Sequence, residues 1–276
     1  MISRRVVPLV YLCLLLLGLL FISPIGFMLA GSLKPDARVL MEAGDWRAFW
    51  PSQVSLENYR DVFSRVDFFR YLLNSLFING TIVGAGLLVN SLAGYAFARL
   101  SWRGRDLLFG LVLAVMIIPL EAIAVPLFYL ASLAGWRDTY LVQIVPFIAN
   151  AFSIYLFYTY FIGLPRELEE AARIDGAGLL RTYFSIIVPN AGPVFASVAI
   201  LTFLTQWGAF LWPLLVTTSE TVRPLPLAIA TFHGLPPLQW GDICAFGVMM
   251  VLPVLLLFLL FQRWFVRGVA ATGIKG

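Results

Sequence analysis

Charge is scarce in this sequence. Asp, Glu, Lys and Arg make up 12% of its 276 residues while 61% are hydrophobic, against about 25% charged in a typical soluble domain. Water is therefore not the main solvent of the chain. Its formal net charge of +4 fits anchoring at a cytoplasmic membrane surface and gives no reason to invoke nucleic acid. Cysteine is rarer still: Cys13 and Cys244 lie in or beside apolar stretches, and neither has a neighbour at metal-ligand spacing, so no disulfide, zinc or other metal site is expected. The one histidine, His233, falls in a segment rich in Pro and Gly and is read as incidental. Lysine occurs only at Lys34 and Lys275, after Leu33 and Ile274. A phosphate-binding loop needs Gly-Lys-Ser/Thr so that its lysine meets the terminal phosphates, which excludes such a loop here. No H-E-x-x-H and no G-x-S-x-G appears, so no catalytic residue is expected.

What the chain has instead is long apolar runs. A hydrocarbon core about 30 Å thick needs roughly 20 mostly apolar residues per helix, and six such runs occur, near Val6–Ala30, Tyr71–Ala98, Leu107–Leu133, Leu141–Gly163, Asn190–Val216 and Ile243–Phe261. An outer-membrane barrel would alternate polar and apolar residues over short segments. Leu12 to Phe21 and Leu252 to Phe261 are instead almost continuously apolar. The expected class is an all-α integral membrane protein with six transmembrane helices. The first run follows Arg4 and Arg5 as a secretory signal would, but it is longer than a signal core and Met28-Leu29-Ala30 lacks the small residue of a cleavage site. It is expected to be retained.

Basic residues near span ends set orientation. With both termini cytoplasmic, the inside holds Arg4, Arg5, Arg99, Arg103, Arg105, Arg166, Arg173, Arg181, Arg263, Arg267 and Lys275, and the short outside loops only Arg137 and Arg223. The long loop from Gly31 to Arg70 carries further basic residues, which the rule tolerates in long loops. Its Trp46, Phe49, Trp50, Tyr59, Phe63, Phe68 and Phe69 suit either the membrane interface or a partner. Prolines at 24, 119, 126, 146, 213 and 253 should bend or break the helices that contain them.

The most informative segment is 164–189, LPRELEEAARIDGAGLLRTYFSIIVP. Pro165 suits a first helical position, Glu167, Glu169 and Glu170 favour the positive end of a helix dipole, and Gly176 can end the helix with positive φ. A second helix is expected through Leu180, Tyr183, Phe184, Ile187 and Val188 up to Pro189. Small Ala171 and Ala172 would let another surface approach, making a docking projection. An amphipathic loop resting on the membrane would show the same pattern.

Polar groups inside the spans are costly. Glu121 lies near the middle of the third run and reads either as a hydroxyl acceptor or gate, or as a partnered or protonated carboxyl that fixes packing. Asn74, Asn79, Asn90, Gln143, Asn150, Ser153 and Gln206 read as bonds across helices or to a polar ligand, with Tyr155 and Trp207 as stacking platforms. Glu121, Asn150, Gln206 and Trp207 are the candidate pathway residues.

Glu170-Ala171-Ala172, Asp175-Gly176-Ala177 and Ile187-Val188-Pro189 resemble the EAA loop of permease subunits in binding-protein-dependent ABC importers. Ser32-Leu33-Lys34, Leu56-Glu57-Asn58-Tyr59, Asn74-Ser75-Leu76, Gly94 to Arg99, Phe265 to Gly268 and the ending Gly273 to Gly276 are similar to the carbohydrate permeases of the maltose type, in particular the shorter, six-helix member of the pair. Trp207-Gly208-Ala209-Phe210-Leu211-Trp212-Pro213 departs from the family's Trp-Asn-Asp-Phe-Leu-Trp-Pro. The resemblance implies a type I importer permease (MetI-like) fold in one transmembrane domain, residues 1–276, with a core of five helices over 71–263. It implies that Glu170, Ala171, Ala172, Asp175, Gly176 and Ala177 couple to a cytoplasmic ATPase homodimer that uses ATP and Mg, while this chain binds no cofactor. It further implies a second homologous permease, an extracytoplasmic sugar-binding protein, an inner-membrane location, and a Gly276 tail that also reaches the ATPase. The rival reading is an ion-gradient-driven transporter with Glu121 as proton relay.

Overall fold

The computed structural model describes residues 7–232 and 234–273, with side chains from Pro8 to Phe261. Arg4, Arg5, His233, Lys275 and the Gly276 tail lie outside the described residues, as do the side chains of Arg263, Arg267 and the closing motifs.

All regular structure among the described residues is helical. The order is α1 Val7–Ser32, α2 Asp36–Met41, α3 Glu57–Arg65, α4 Phe68–Arg99, α5 Arg105–Val115, α6 Leu120–Leu133, α7 Tyr140–Ile148, α8 Ala151–Ile162, α9 Glu167–Ile174, α10 Leu179–Thr182, α11 Val188–Asn190, α12 Gly192–Trp207, α13 Leu211–Val216, α14 Leu225–Phe232 and α15 Trp240–Gly273. Helices satisfy every backbone group internally, the condition for crossing hydrocarbon. Among the described residues four stretches are long and apolar enough to cross: Pro8–Ser32, Phe68–Arg99, Tyr140–Ile162 and Trp240–Phe261. Two bent pairs bring the number to as many as six, α5 with α6 at 104° and Leu179–Asn190 with α12 at 80°.

Two of the expected spans need correction. Leu107–Leu133 is not one helix: it breaks at 116–119, where Pro119 takes an extended conformation (φ −71°, ψ 149°), having no N–H to continue the ladder and forcing Ile118 out of the helical region. The fifth run begins earlier than Asn190, turns at Ala191, and ends at Trp207 rather than Val216, with Gly208–Phe210 separating α12 from α13. Pro189 does not stop the helix before it. A π turn at Tyr183–Ile187 widens the coil just ahead of the proline, relieving the crowding its ring would cause. Prolines 24, 126, 146, 213 and 253 all lie inside helices that continue through them.

The chain forms two compact units, one of residues up to Phe69 with Ala228–Val254, the other of Arg70–Leu227 with residues from Leu255 on. In the first, Lys34 is buried (1% exposed). Its ammonium donates to the Arg47 and Ala48 carbonyls at 2.5 and 3.3 Å and pairs with Glu42 at 3.1 Å. Asn58 donates to the Ser32 and Lys34 carbonyls, and Ser32 shares a hydrogen bond with Tyr59. Arg65 donates to Asp242 at 2.6 Å and to the carbonyls of Leu235 and Pro237. In the second unit, Tyr95, Phe157, Phe161, Tyr183, Ile187 and Val198 form an aromatic and aliphatic core. Gly94 lets α4 and α8 meet, since a Cβ there would lie 2.6 Å from the Phe157 Cβ.

Candidate functional site

The loop between α8 and α12 is a rigid projection built by local rules. Three glutamates occupy the first turn of α9, where the helix dipole favours them. Its end is a Schellman turn: Gly176 (φ +77°) donates its N–H to the Arg173 carbonyl at 3.0 Å, and Ala177 donates to Ala172 at 2.8 Å. Only a residue tolerant of left-handed φ closes such a turn without strain. The base of the loop is pinned to α4, where Arg99 donates to the Leu164 carbonyl and faces Glu169 at 3.8 Å. Tyr183 shares a 2.5 Å hydrogen bond with Ser91 and packs against Tyr95.

Glu170, Ala171, Asp175 and Gly176 are exposed, and Ala177 is half-buried. Ala172, expected at the docking face, is instead turned inward at 3% exposure, so its small size serves internal packing. What the docking pattern missed is apolar: Ile174 is 86% exposed, and Leu179, Leu180 and Phe184 are exposed beside it. Exposed apolar side chains recurring within one short charged segment are the pattern of a candidate contact surface.

The second site is a 310 Å³ cavity within the larger unit, bounded by α4, α6, α7, α12 and α13. Glu121 and Gln206 line it. Asn150 does not: it caps α8, accepting from the Ser153 N–H at 2.9 Å. Trp207 does not either, being buried and stacked on Phe203. The break before α6 explains how Glu121 is tolerated, because it sits in that helix's first turn rather than mid-helix, exposed and with no ion pair among the described residues. The partnered packing role considered for it therefore has no ion-pair partner among the described residues.

The remaining polar residues mostly brace. Asn90 donates to the Ile148 carbonyl and accepts from the Asn150 N–H, closing the gap between α7 and α8. Asn74 donates to the Thr221 and Arg223 carbonyls and Gln143 to that of Val222. Outside the spans, burial would raise the Asp138 carboxyl, but the Ser219 and Thr218 amides that donate to it prevail and hold it below the usual range.

Residues 86–271 match the family described as binding-protein-dependent transport system inner membrane component. The chain is similar to the arabinooligosaccharides transport system permease protein AraQ of Halalkalibacterium halodurans, 36% identical over 95% of this chain and 96% of that protein. It is also similar to the trehalose/maltose transport system permease protein MalG of Thermococcus litoralis, 35% identical over 80% of this chain and 82% of that one. In fold it resembles a chain from the crystal structure of a bacterial ABC transporter involved in the import of the acidic polysaccharide alginate, with TM-score 0.83, 23% identity, and coverage of 96% of this chain and 99% of that one.

Proposed function

Because the chain belongs to the family of binding-protein-dependent transport system inner membrane components, we propose that it is a permease subunit of an ATP-driven sugar importer. It pairs with a second, homologous permease and couples through residues 164–189 to a separate ATPase dimer. The sugar assignment is supported by the relatives named above, permeases for arabinooligosaccharides and for trehalose or maltose. The coupling role rests on one observation above all: a helix closed by a left-handed glycine, pinned at its base by Arg99, that carries Ile174 bare at its tip.

In this reading Glu170, Ala171, Asp175, Gly176 and Ala177 shape the contact with the ATPase, and ATP and Mg are handled there. The loop lies in the cytoplasm together with both termini, in keeping with the basic residues near it, and a soluble sugar-binding protein delivers cargo from outside. Glu121 and Gln206 belong to the pathway wall. The ion-gradient alternative is not favoured, since among the described residues Glu121 is the single ionisable one lining the cavity and no relay of titratable groups leads from it along that wall.

Gly176→Val tests the coupling. A branched side chain at positive φ costs about 1–2 kcal/mol in local strain, which the turn would relieve by rearranging. In the assembled transporter, sugar uptake should fall by about tenfold or more while ATP hydrolysis escapes control by the binding protein. Gly176→Asn, which tolerates the left-handed conformation, should retain coupling. Unchanged uptake in the valine variant would contradict the proposal.

A further inference from the structure

The cavity's wall is chemically one-sided. Ser75, Asn79, Glu121, Gln143, Thr205 and Gln206 supply its polar groups, and no lysine, arginine or histidine among the described residues lines it. Gly208 and Ala209, the two positions where the related pattern reads amide and carboxylate, also line it. They contribute room and no charge, leaving Glu121 as the only ionisable group among the described residues of the wall.

The two buried amides sharpen this. Asn79 donates its Nδ2 to the Ser75 carbonyl at 2.8 Å, and Gln143 its Nε2 to the Val222 carbonyl at 2.9 Å. Carbonyl partners fix which end of each amide is nitrogen. Asn79 Oδ1 and Gln143 Oε1 are left buried with no donor, although the residues are 3% and 2% exposed. A buried acceptor without a partner costs on the order of 1–3 kcal/mol, and both oxygens add acceptor character, with no positive charge, to residues of this wall.

We infer that this cavity is a charge-selective compartment of the pathway, built to take neutral, hydroxyl-rich ligands and to turn away carboxylated or phosphorylated sugars. A polyol offers hydrogens to Glu121, which is exposed on this wall. An anionic sugar meets a carboxylate of like sign and finds no cation on this wall. The inference rests on the permease reading and narrows its substrate class from sugars in general to uncharged ones.

The test is thiol labelling in the assembled transporter, with Cys13 and Cys244 replaced by alanine and Thr205→Cys introduced, Ala209→Cys serving as a second position. Reaction rates are compared for methanethiosulfonate reagents carrying a trimethylammonium or a sulfonate, each normalised to its rate with free 2-mercaptoethanol. A single carboxylate in a water-filled, low-dielectric cleft should favour the cationic reagent by about fivefold, and Glu121→Gln should abolish that preference. Equal normalised rates, a preference unmoved by Glu121→Gln, or cysteines that react with neither reagent would each overturn the inference. Labelling requires no ATP turnover, so its outcome is separable from that of the Gly176 variants.

Discussion

The two units differ in where their polar groups are left open: among the described residues the smaller unit leaves single oxygens of Glu42 and Asp242 without a hydrogen bond, each on a carboxylate paired with a cation, whereas the larger unit leaves open acceptors on residues that line a cavity. In the smaller one, Lys34, Asn58 and Arg65 each turn inward and spend their donors on backbone carbonyls or carboxylates of the same unit. In the larger one, Glu121, Asn79 and Gln143 leave acceptor capacity unused around a cavity, and the loop at 164–189 leaves Ile174 bare. Polar groups that close on their own neighbours hold a shape. Polar groups left open wait for something the chain does not contain.

The contrast is breakable by mutation. Asp242→Ala should have the largest effect on stability: Asp242 is fully buried and Arg65 is 16% exposed, and removing one member of a buried pair typically costs about 3–5 kcal/mol. Thermal unfolding of the purified transporter would register this as a lower midpoint. Glu121→Ala, from the open set, should move the same midpoint by no more than about 0.5 kcal/mol, and equal losses would erase the distinction. Gly94→Ala should fall between, at about 1–3 kcal/mol, because its methyl must displace the Phe157 Cβ from a packed seam.

The smallest effect is in pH. The Ser52 hydroxyl first, then Lys34, hold the Glu42 carboxyl below the ordinary range, and Asp138 is also lowered, its amide donors outweighing burial. Both groups bind protons less readily folded than unfolded. Their contribution is therefore complete above the unfolded carboxylate value of about 4 and is lost as pH falls through the lower folded values. Unfolding midpoints should decline over that acidic window, with a shallower slope in Glu42→Gln and Asp138→Asn.

Much of this was legible from residue patterns alone. Apolar runs located the spans, and Gly176 was readable as a left-handed helix end because its position after a charged helix leaves little else for a glycine to do. The break at Pro119 was visible as a proline but not as a 104° turn, since prolines 126 and 253 sit in continuous helices and only packing decides which one gives way. Asn90 and Asn150 looked alike in sequence. One closes a helix gap and the other caps a helix, a difference set by where α4 passes rather than by either residue. Ser32-Leu33-Lys34 and Asn58-Tyr59 were both conspicuous, yet nothing in their spacing says that Asn58 grips the carbonyls of the first. The inward turn of Ala172 and the bare Ile174 likewise depend on which face α9 presents to Arg99, which helical periodicity leaves undecided between two sides.

The central claim is that the loop at 164–189 meets a separate ATPase in the cytoplasm. A benzophenone carried on Ile174→Cys, irradiated in inside-out membrane vesicles containing the assembled transporter, reports the contact directly. The account predicts a covalent adduct between this chain and an ATP-binding subunit, formed when the label is added from the cytoplasmic side. Attachment only to lipid, or to a protein on the outer face, would contradict it.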